Sequence, residues 1–367
     1  MNSPSKQRVL VGMSGGVDSS LSAALLCEQG FEVVGGFIKN WSDSKDLWTG
    51  ECQWRAERRD ALRVAARLGI PLLTFDFEEQ YRTRVLERLF QGYQKGETPN
   101  PDVLCNEEIK FGLFFEQAMQ LGFDAVATGH YVQVRHDVDG SAHLLKGVDE
   151  VKDQSYFLYR ISQTALRKTF FPIGHLKKSE VRALAAEHGL PTAAKPDSQG
   201  ICFVGKLNFH EFLRQRIPAT PGEIVTADGQ ILGTHDGLDG YTIGQRHGIK
   251  VSHDQAIWYV AGKDRSTNHL IIVPNREHPL LYRRSAKVND LHWTAGPPVE
   301  IGQSCQVEVA IRYRQTPERA EATLVDATTL TLRFQEPVWS LAPGQSAVLY
   351  QGNECLGGGI LLDSPDC

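Results

Sequence analysis

Ser14-Gly15-Gly16-Val17-Asp18-Ser19 stands between an apolar run at 8–12 and a helical pattern at 21–29. A strand, a glycine-rich turn and a helix in that order aim several backbone N–H groups at one point, and the positive end of the helix dipole with them. Gly15 and Gly16 lack a Cβ and let the backbone approach an anion closely. Ser14, Ser19 and Ser20 add hydroxyl donors, and Asp18 offers a carboxylate to Mg²⁺. The expected ligand is a phosphate or pyrophosphate. Two familiar phosphate loops do not fit. A Walker A loop ends in Lys, which is absent here, and glycines at 12, 15 and 16 do not make the dinucleotide fingerprint.

Two cysteines stand in unusual company. Cys105 follows Thr98-Pro99-Asn100-Pro101-Asp102, a loop stiffened by two prolines and expected to end just before a helix. A helix N-terminus favours a thiolate, and Asp102 is placed to exchange a proton with a bound substrate. Cys202 lies between Gly200 and Gly205, which suits a mobile loop. For either cysteine taken alone, the plain alternative is a small buried apolar residue. Cys27 reads as core, Cys305 and Cys355 as strand residues, Cys367 as a frayed end, and Cys52 as the head of a helix with basic neighbours. The seven cysteines contain no C-x-x-C pair, so no zinc ribbon or cysteine-held cluster is expected, and no metal site.

The elements that must position these groups alternate through the first half. Strands are expected at 9–13, 31–38, 71–75 and 124–128, with helices at 17–29, 52–68, 78–93, 109–121 and 179–188. Strands separated by helices predict a doubly wound, mostly parallel sheet, an α/β fold whose ligands bind beyond the carboxyl ends of the strands. The glycine loop, the 38–41 segment and Gly129-His130 all fall at such ends. A hairpin is expected within 131–160, turning at Asp137-Val138-Asp139-Gly140. After about residue 207 the texture becomes Gly-rich and mixed, and from 281 onward it is a series of short strands, which predicts a small β-barrel. The expected domains are 1–208, 209–279 and 280–367.

The chain has 367 residues, 41% of them hydrophobic, and a formal net charge of −5. The charge does not announce a nucleic-acid binder, so any such binding must use local basic patches. Residues 1–8 lack an apolar signal core, and no run approaches the ~20 apolar residues of a membrane helix. A cytoplasmic protein, monomeric by default, is expected.

In chain order, SGGVDS at 14–19, NPDVLCN at 100–106, ATGHY at 127–131, KDQSYFL at 152–158, GICFVG at 200–205, YTIGQRHGI at 241–249, IRYRQ at 311–315 and CLGGGI at 355–360 resemble the bacterial tRNA-specific 2-thiouridylase family. That family belongs to the PP-loop ATP pyrophosphatase superfamily, and the match runs nearly end to end. The resemblance implies that ATP adenylates the C2 oxygen of the wobble uridine of a tRNA and that sulfur then replaces it. It implies ATP contacts at Gly12, Met13, Ser14, Gly15, Gly16, Val17, Asp18 and Ser19, with Mg²⁺, and adenosine contacts at Ile38 and Gly129. Many members have Met where this chain has Ile38. The match assigns Cys202 as the persulfide carrier, Cys105 as the nucleophile that ends in a disulfide with it, and Asp102 as the acid/base at uridine N3. Asn100, Pro101 and Asp102 would meet the target base. His130, Lys152, Asp153, Gln154, Arg312, Tyr313 and Gln345 would contact tRNA. The implied partners are a tRNA and a persulfide donor, either a cysteine desulfurase or a sulfur-relay protein.

Two rivals remain open at this level. One is a PP-loop synthetase adenylating a small molecule, which has no need of the C-terminal β domain or two reactive cysteines. The other is an RNA-binding module with a degenerate nucleotide site, against which the intact Ser14, Asp18, Ser19, Cys105 and Cys202 argue. For Arg312 and Tyr313 the residue types alone suggest an exposed arginine and a core aromatic, for His130 a satisfied structural histidine, and for Gln345 a turn residue.

Overall fold

Val9, Leu10 and Val11 carry no exposed surface. A strand apolar on both faces must lie inside a sheet covered on both sides, and strand β1 (Arg8–Gly12) does. The computed structural model describes residues 6–42, 52–197, 209–214, 216–251 and 257–363. Helix α1 (Val17–Glu28) leads to β2 (Glu32–Lys39), α2 (Gln53–Leu68) to β3 (Leu72–Asp76), and two longer helices, α3 at 78–94 and α4 at 101–120, to β4 (Ala125–Thr128). A hairpin, β5 (Val132–His136) and β6 (Ala142–Lys146), turns where Gly140 N donates to Asp137 O. Helix α5 (Ser155–Leu158), strand β7 (Thr169–Phe170) and helix α6 (Lys178–Glu187) follow.

The first sheet has the order β3-β2-β1-β4-β7, every pairing parallel. Alternation splits its side chains between two cores. Val9, Val11, Val33 and Phe37 face α1 and α2, while Leu10, Val34 and Ile38 face the aromatic-rich layer of α3 and α4. The expected α/β architecture is present.

Two departures from the sequence reading matter for the site. Helix α4 begins at Pro101, not near 109, because Asn100 caps it: its Oδ1 accepts from Asp102 N at 3.0 Å and Val103 N at 3.3 Å. Pro101 fits as the first helical residue, where no N–H is needed. Residues Asn106–Phe114 then continue in π-helical form. The loop expected around Cys105 is therefore a helix.

The central region forms a small mixed sheet of β8 (Gly222–Thr226), β9 (Ile231–His235), β10 (Tyr259–Asp264) and β11 (His269–Val273), in the order β10-β11-β8-β9. The last region comprises β12 (Tyr282–Trp293), β13 (Ser304–Ala310), β14 (Glu318–Leu324), β15 (Leu330–Trp339), β16 (Ser346–Gln351) and β17 (Glu354–Leu361). Their order is β12-β15-β14-β13-β16-β17, and β17 pairs back onto β12 to close a barrel. Hairpin β5–β6 adds to the barrel sheet through Glu354↔Leu145 and Cys355↔Leu144, so the first domain is stitched to the last. Strand β17 is glycine-rich because it is crowded: a Cβ on Gly358 would lie 2.1 Å from the Ala347 carbonyl oxygen. Gly358→Ala should lower stability by about 2–3 kcal/mol through overpacking; an unchanged urea midpoint would contradict the crowding.

Candidate functional site

The chain leaves β1 at its carboxyl end and turns at once into α1. Gly15 has φ +74°, and a Cβ there would fall 2.3 Å from the Glu57 carbonyl oxygen, so only glycine fits on either count. Ser14 and Ser19 brace the turn: Ser14 N donates to Ser19 Oγ at 3.2 Å, and Gly16 N donates to Ser14 Oγ at 3.3 Å. Gly16 is the N-cap of α1 and supplies no capping side chain. The first-turn N–H groups at Val17, Asp18 and Ser19 therefore face the loop as an anion site. Gly12 and Met13 lead into the turn, and Met13 is buried. Just past the end of the adjacent strand β4, Gly129 lets the chain pass close to α1; its Cβ would sit 2.6 Å from Ser19 N. Ile38 is buried near the end of β2. Loop, Ile38 and Gly129 thus line one carboxyl edge, across the β2-β1-β4 part of the sheet where the strand order reverses.

Two lysines absent from the sequence reading reach this loop. Lys178 opens α6 and places its Nζ 2.7 and 2.8 Å from the Asp18 carboxylate oxygens, and 2.8 Å from Asp197. Lys195 donates to Gly15 O at 2.9 Å and to Asp60 at 2.7 Å. Tyr131 O–H donates to Asp18 Oδ1 at 2.7 Å, and burial followed by the Asp18 charge holds that phenol protonated. Asp197 also receives Lys152 at 2.6 Å and Arg182 at 2.9 Å. Burial pushes the Asp197 carboxyl up, but Lys152 and Lys178 outweigh burial and bring it down to about 2. Partners so far away in sequence leave no local spacing signal; the only hint was basic residues inside the 178–195 segment.

Cys105 has no exposed surface and sits in the core layer with Ile38, Trp41, Val103, Leu104 and Ile109. Asp102 lies in the first turn of α4. Asn106 donates through Nδ2 to Asp102 O at 2.9 Å and to Phe157 O at 3.4 Å. The segment before α4 is held by both of the other regions: Thr98 N donates to Pro343 O at 2.7 Å, Thr98 Oγ1 meets Thr242 Oγ1 at 3.2 Å, and Lys263 donates to Gly96 O at 2.8 Å. Cys202 lies outside the described residues, and no disulfide joins described cysteines.

The expected RNA-contact residues are largely engaged within the protein. Arg312 donates to Ile243 O at 2.9 Å and to Ser340 Oγ at 2.7 Å and lies over the Trp339 ring. Gln345 donates to Thr98 O. Asp153, just ahead of α5, accepts from Ser155 N and Oγ, and Gln154 Oε1 accepts from Tyr131 N at 3.0 Å. His130 is buried between Thr128 Oγ1 at 2.8 Å and Lys110 Nζ at 3.3 Å. Burial, then Lys110, keep it neutral. Tyr313 packs on Phe157 with ring centroids 4.4 Å apart, and the Arg314 guanidinium lies 5.1 Å from its centroid. Among the described residues no group of three or more His, Cys, Asp or Glu is placed to hold a metal.

This fold and edge define a PP-loop, HUP-type nucleotide-binding domain carrying two β modules. Family models match in the same order: a tRNA methyl transferase HUP domain over residues 7–206, a tRNA methyl transferase PRC-barrel domain over 210–274, and an aminomethyltransferase beta-barrel domain over 283–361. The chain is 50% identical to the tRNA-specific 2-thiouridylase MnmA of Nitrosomonas eutropha, covering 98% of this chain and 99% of that one. It is 48% identical to the protein of the same name from Enterococcus faecalis, covering 97% of this chain and 96% of that one. The chain belongs to the tRNA-specific 2-thiouridylase family.

Asp197 gives a test of the lysine network. Its folded pKa lies below the ordinary value of 3.8, so its stabilisation is fully present above that pH and is lost as pH falls toward about 2. Asp197→Asn should lower the urea midpoint by a constant amount between pH 5 and 8, on the order of a surface-to-partly-buried pair. The gap should close below pH 4. A gap independent of pH down to 2 would contradict the assignment.

Proposed function

We propose that this chain is an ATP-dependent tRNA uridine 2-sulfurtransferase that converts the wobble uridine to 2-thiouridine. One observation carries the chemistry: the phosphate loop, its two lysines and the N-terminal half of α4 with Cys105 belong to the same carboxyl edge of one parallel sheet.

ATP places its pyrophosphate portion on the Ser14–Ser19 loop, with adenosine along the backbone at Ile38 and Gly129. Lys178 and Lys195, now on Asp18 and Gly15 O, turn to the phosphate oxygens and neutralise charge that develops as pyrophosphate leaves. Asp18 fits Mg²⁺, which takes one or two carboxylates and completes its shell with phosphate and water; its bound charge would offset that of the phosphates. The uridine O2 attacks the α-phosphorus, and pyrophosphate departs. Asp102, beside Asn100 and Pro101 at the head of α4, handles the N3 proton. Cys202 carries a persulfide whose terminal sulfur attacks C2, and AMP leaves with the former O2. The Cys105 thiolate then attacks the Cys202 sulfur, releasing 2-thiouridine and forming a Cys105–Cys202 disulfide. An external thiol must supply two electrons to reset the pair.

The wobble base is presented by a single-stranded loop, which suits an enzyme that must reach a base edge. We place the tRNA against Lys152, the Tyr313 ring and the surface shaped by His130, Asp153, Gln154, Arg312 and Gln345. Residues 1–208 would perform the chemistry, 209–279 link, and 280–367 add the RNA-facing barrel. The protein would act as a cytoplasmic monomer served by a cysteine desulfurase or relay protein. Among the described residues no helix is long and apolar enough to cross a membrane.

Nucleoside mass spectrometry after incubation with ATP, Mg²⁺, a persulfide donor and unmodified tRNA should show 2-thiouridine. Cys105→Ser and Cys202→Ser should each abolish it. Pyrophosphate release without RNA, and no thiolation, would favour the small-molecule synthetase. In the same assay Lys178→Met should raise the KM for ATP roughly 10- to 100-fold, as expected for loss of a charge-assisted phosphate contact; an unchanged KM would remove Lys178 from the site.

A further inference from the structure

Asn40 is 1% exposed, and neither its Nδ2 nor its Oδ1 has a hydrogen-bond partner among the described residues. A buried amide left wholly unpaired is costly, and native structures keep few of them. Its place in the fold says what it faces. The β2–β3 ladder runs on to Phe77 N, which donates to Lys39 O at 2.9 Å, so Asn40 is the first residue past the last pairing. Alternation puts it on the same face as Val34 and Ile38, the face covered by α4, while Lys39 points the other way toward Trp54 of α2.

The height along that face follows from two rises. Phe114 of α4 sits directly over Gly36, where an added Cβ would come within 2.6 Å of its ring. Helix α4 runs antiparallel to the strands, since it ends just before β4 begins. Asn40 lies four residues beyond Gly36, or ~13 Å along the strand. Cys105 lies nine residues before Phe114; at the α-helical rise that is ~13 Å, and the π-helical form of Asn106–Phe114 shortens it to roughly 10 Å back along the helix in the same direction. Asn40 therefore lies within about one strand residue of the height of Cys105. A second orphan stands beside that cysteine. Asn106 commits Nδ2 to two carbonyls, which fixes its orientation, and its buried Oδ1 has no partner.

We infer that Asn40 is a base-reading residue whose side-chain amide pairs with a nucleobase edge presented beside Cys105. A primary amide offers one donor and one acceptor side by side, the complement of a base edge that carries an acceptor next to a donor. Uridine shows such an edge at O4 and N3–H as it binds, before Asp102 takes the N3 proton, and adenine shows one at N7 and the 6-amino group. The level of Cys105 assigns the uridine. This rests on the thiolation reading above, and the adenine of ATP is the alternative source of the same chemistry.

The test compares wild type with Asn40→Leu and Asn40→Asp in steady-state thiolation of tRNA at saturating persulfide donor, with thermal melts of each variant. Wild-type thiolation stands or falls separately and carries the activity itself. Leu matches Asn in branching and heavy-atom count, with bulkier methyl groups, and removes the unpaired amide, so the melting temperature should hold or rise. Meanwhile kcat/KM for tRNA should fall roughly 10- to 100-fold with the KM for ATP unchanged, since a base-edge hydrogen bond is worth about that factor. Asn40→Asp keeps the acceptor and loses the donor, and should fall between the two. A rise in the KM for ATP with tRNA parameters intact would reassign the contact to adenine and overturn the uridine assignment. A variant equal to wild type in both parameters would mean that Asn40 only holds an internal water, which overturns the inference.

Discussion

The parallel pairing of β1 with β2 on one side and β4 on the other is the constraint on which the site depends. It forces the three chain exits onto one edge, and it buries β1 so completely that its residues must be apolar on both faces. With β1 fixed, the Ser14–Ser19 turn has one place to go, against Gly129 and beneath α1. The dipole of α1 and its first-turn N–H groups then point into the crevice where the strand order reverses.

Charge completes what backbone geometry begins. An anion site built only from N–H groups would bind phosphate without neutralising it. Lys178 and Lys195 come from α6 and the segment beyond it, and in this structure they rest on Asp18, Asp197, Asp60 and Gly15 O. A pyrophosphate group would compete with those acceptors for the same ammonium groups. Asp197 is the shared anchor of Lys152, Lys178 and Arg182, while Lys195 is held separately by Asp60 and Gly15 O.

Much of this was legible in the sequence, and the part that was not has physical reasons. The glycine loop announced itself because strand, turn and helix are contiguous and each leaves a local pattern. The barrel was legible as texture, with Cys355 already read as a strand residue, although the bounds of β17 were not; it carries glycines where its neighbours press close. Helix α4 was placed too late because its prolines read as loop, whereas Asn100 and Pro101 are a cap and a first helical residue. The contacts of Tyr131, Lys178 and Lys195 with the loop were invisible because they span more than 100 residues and depend on how α6 packs on α1, and Asp197 gains its role only through Lys178. Arg312 and Gln345 carry motif identity, yet their donors are spent joining the barrel to the central sheet and to the Thr98 segment. That junction fixes the approach to α4, and so the position of Asp102 and Cys105.

In the proposed reaction the edge of this sheet makes AMP the leaving group at uridine C2. The most direct measurement uses tRNA whose wobble uridine carries ¹⁸O at C2, incubated with ATP, Mg²⁺ and a persulfide donor, followed by mass spectrometry of the AMP formed. One ¹⁸O atom should appear in the phosphate of AMP for each 2-thiouridine made. AMP without label beside newly formed 2-thiouridine would contradict adenylation of the base and the role assigned to the loop.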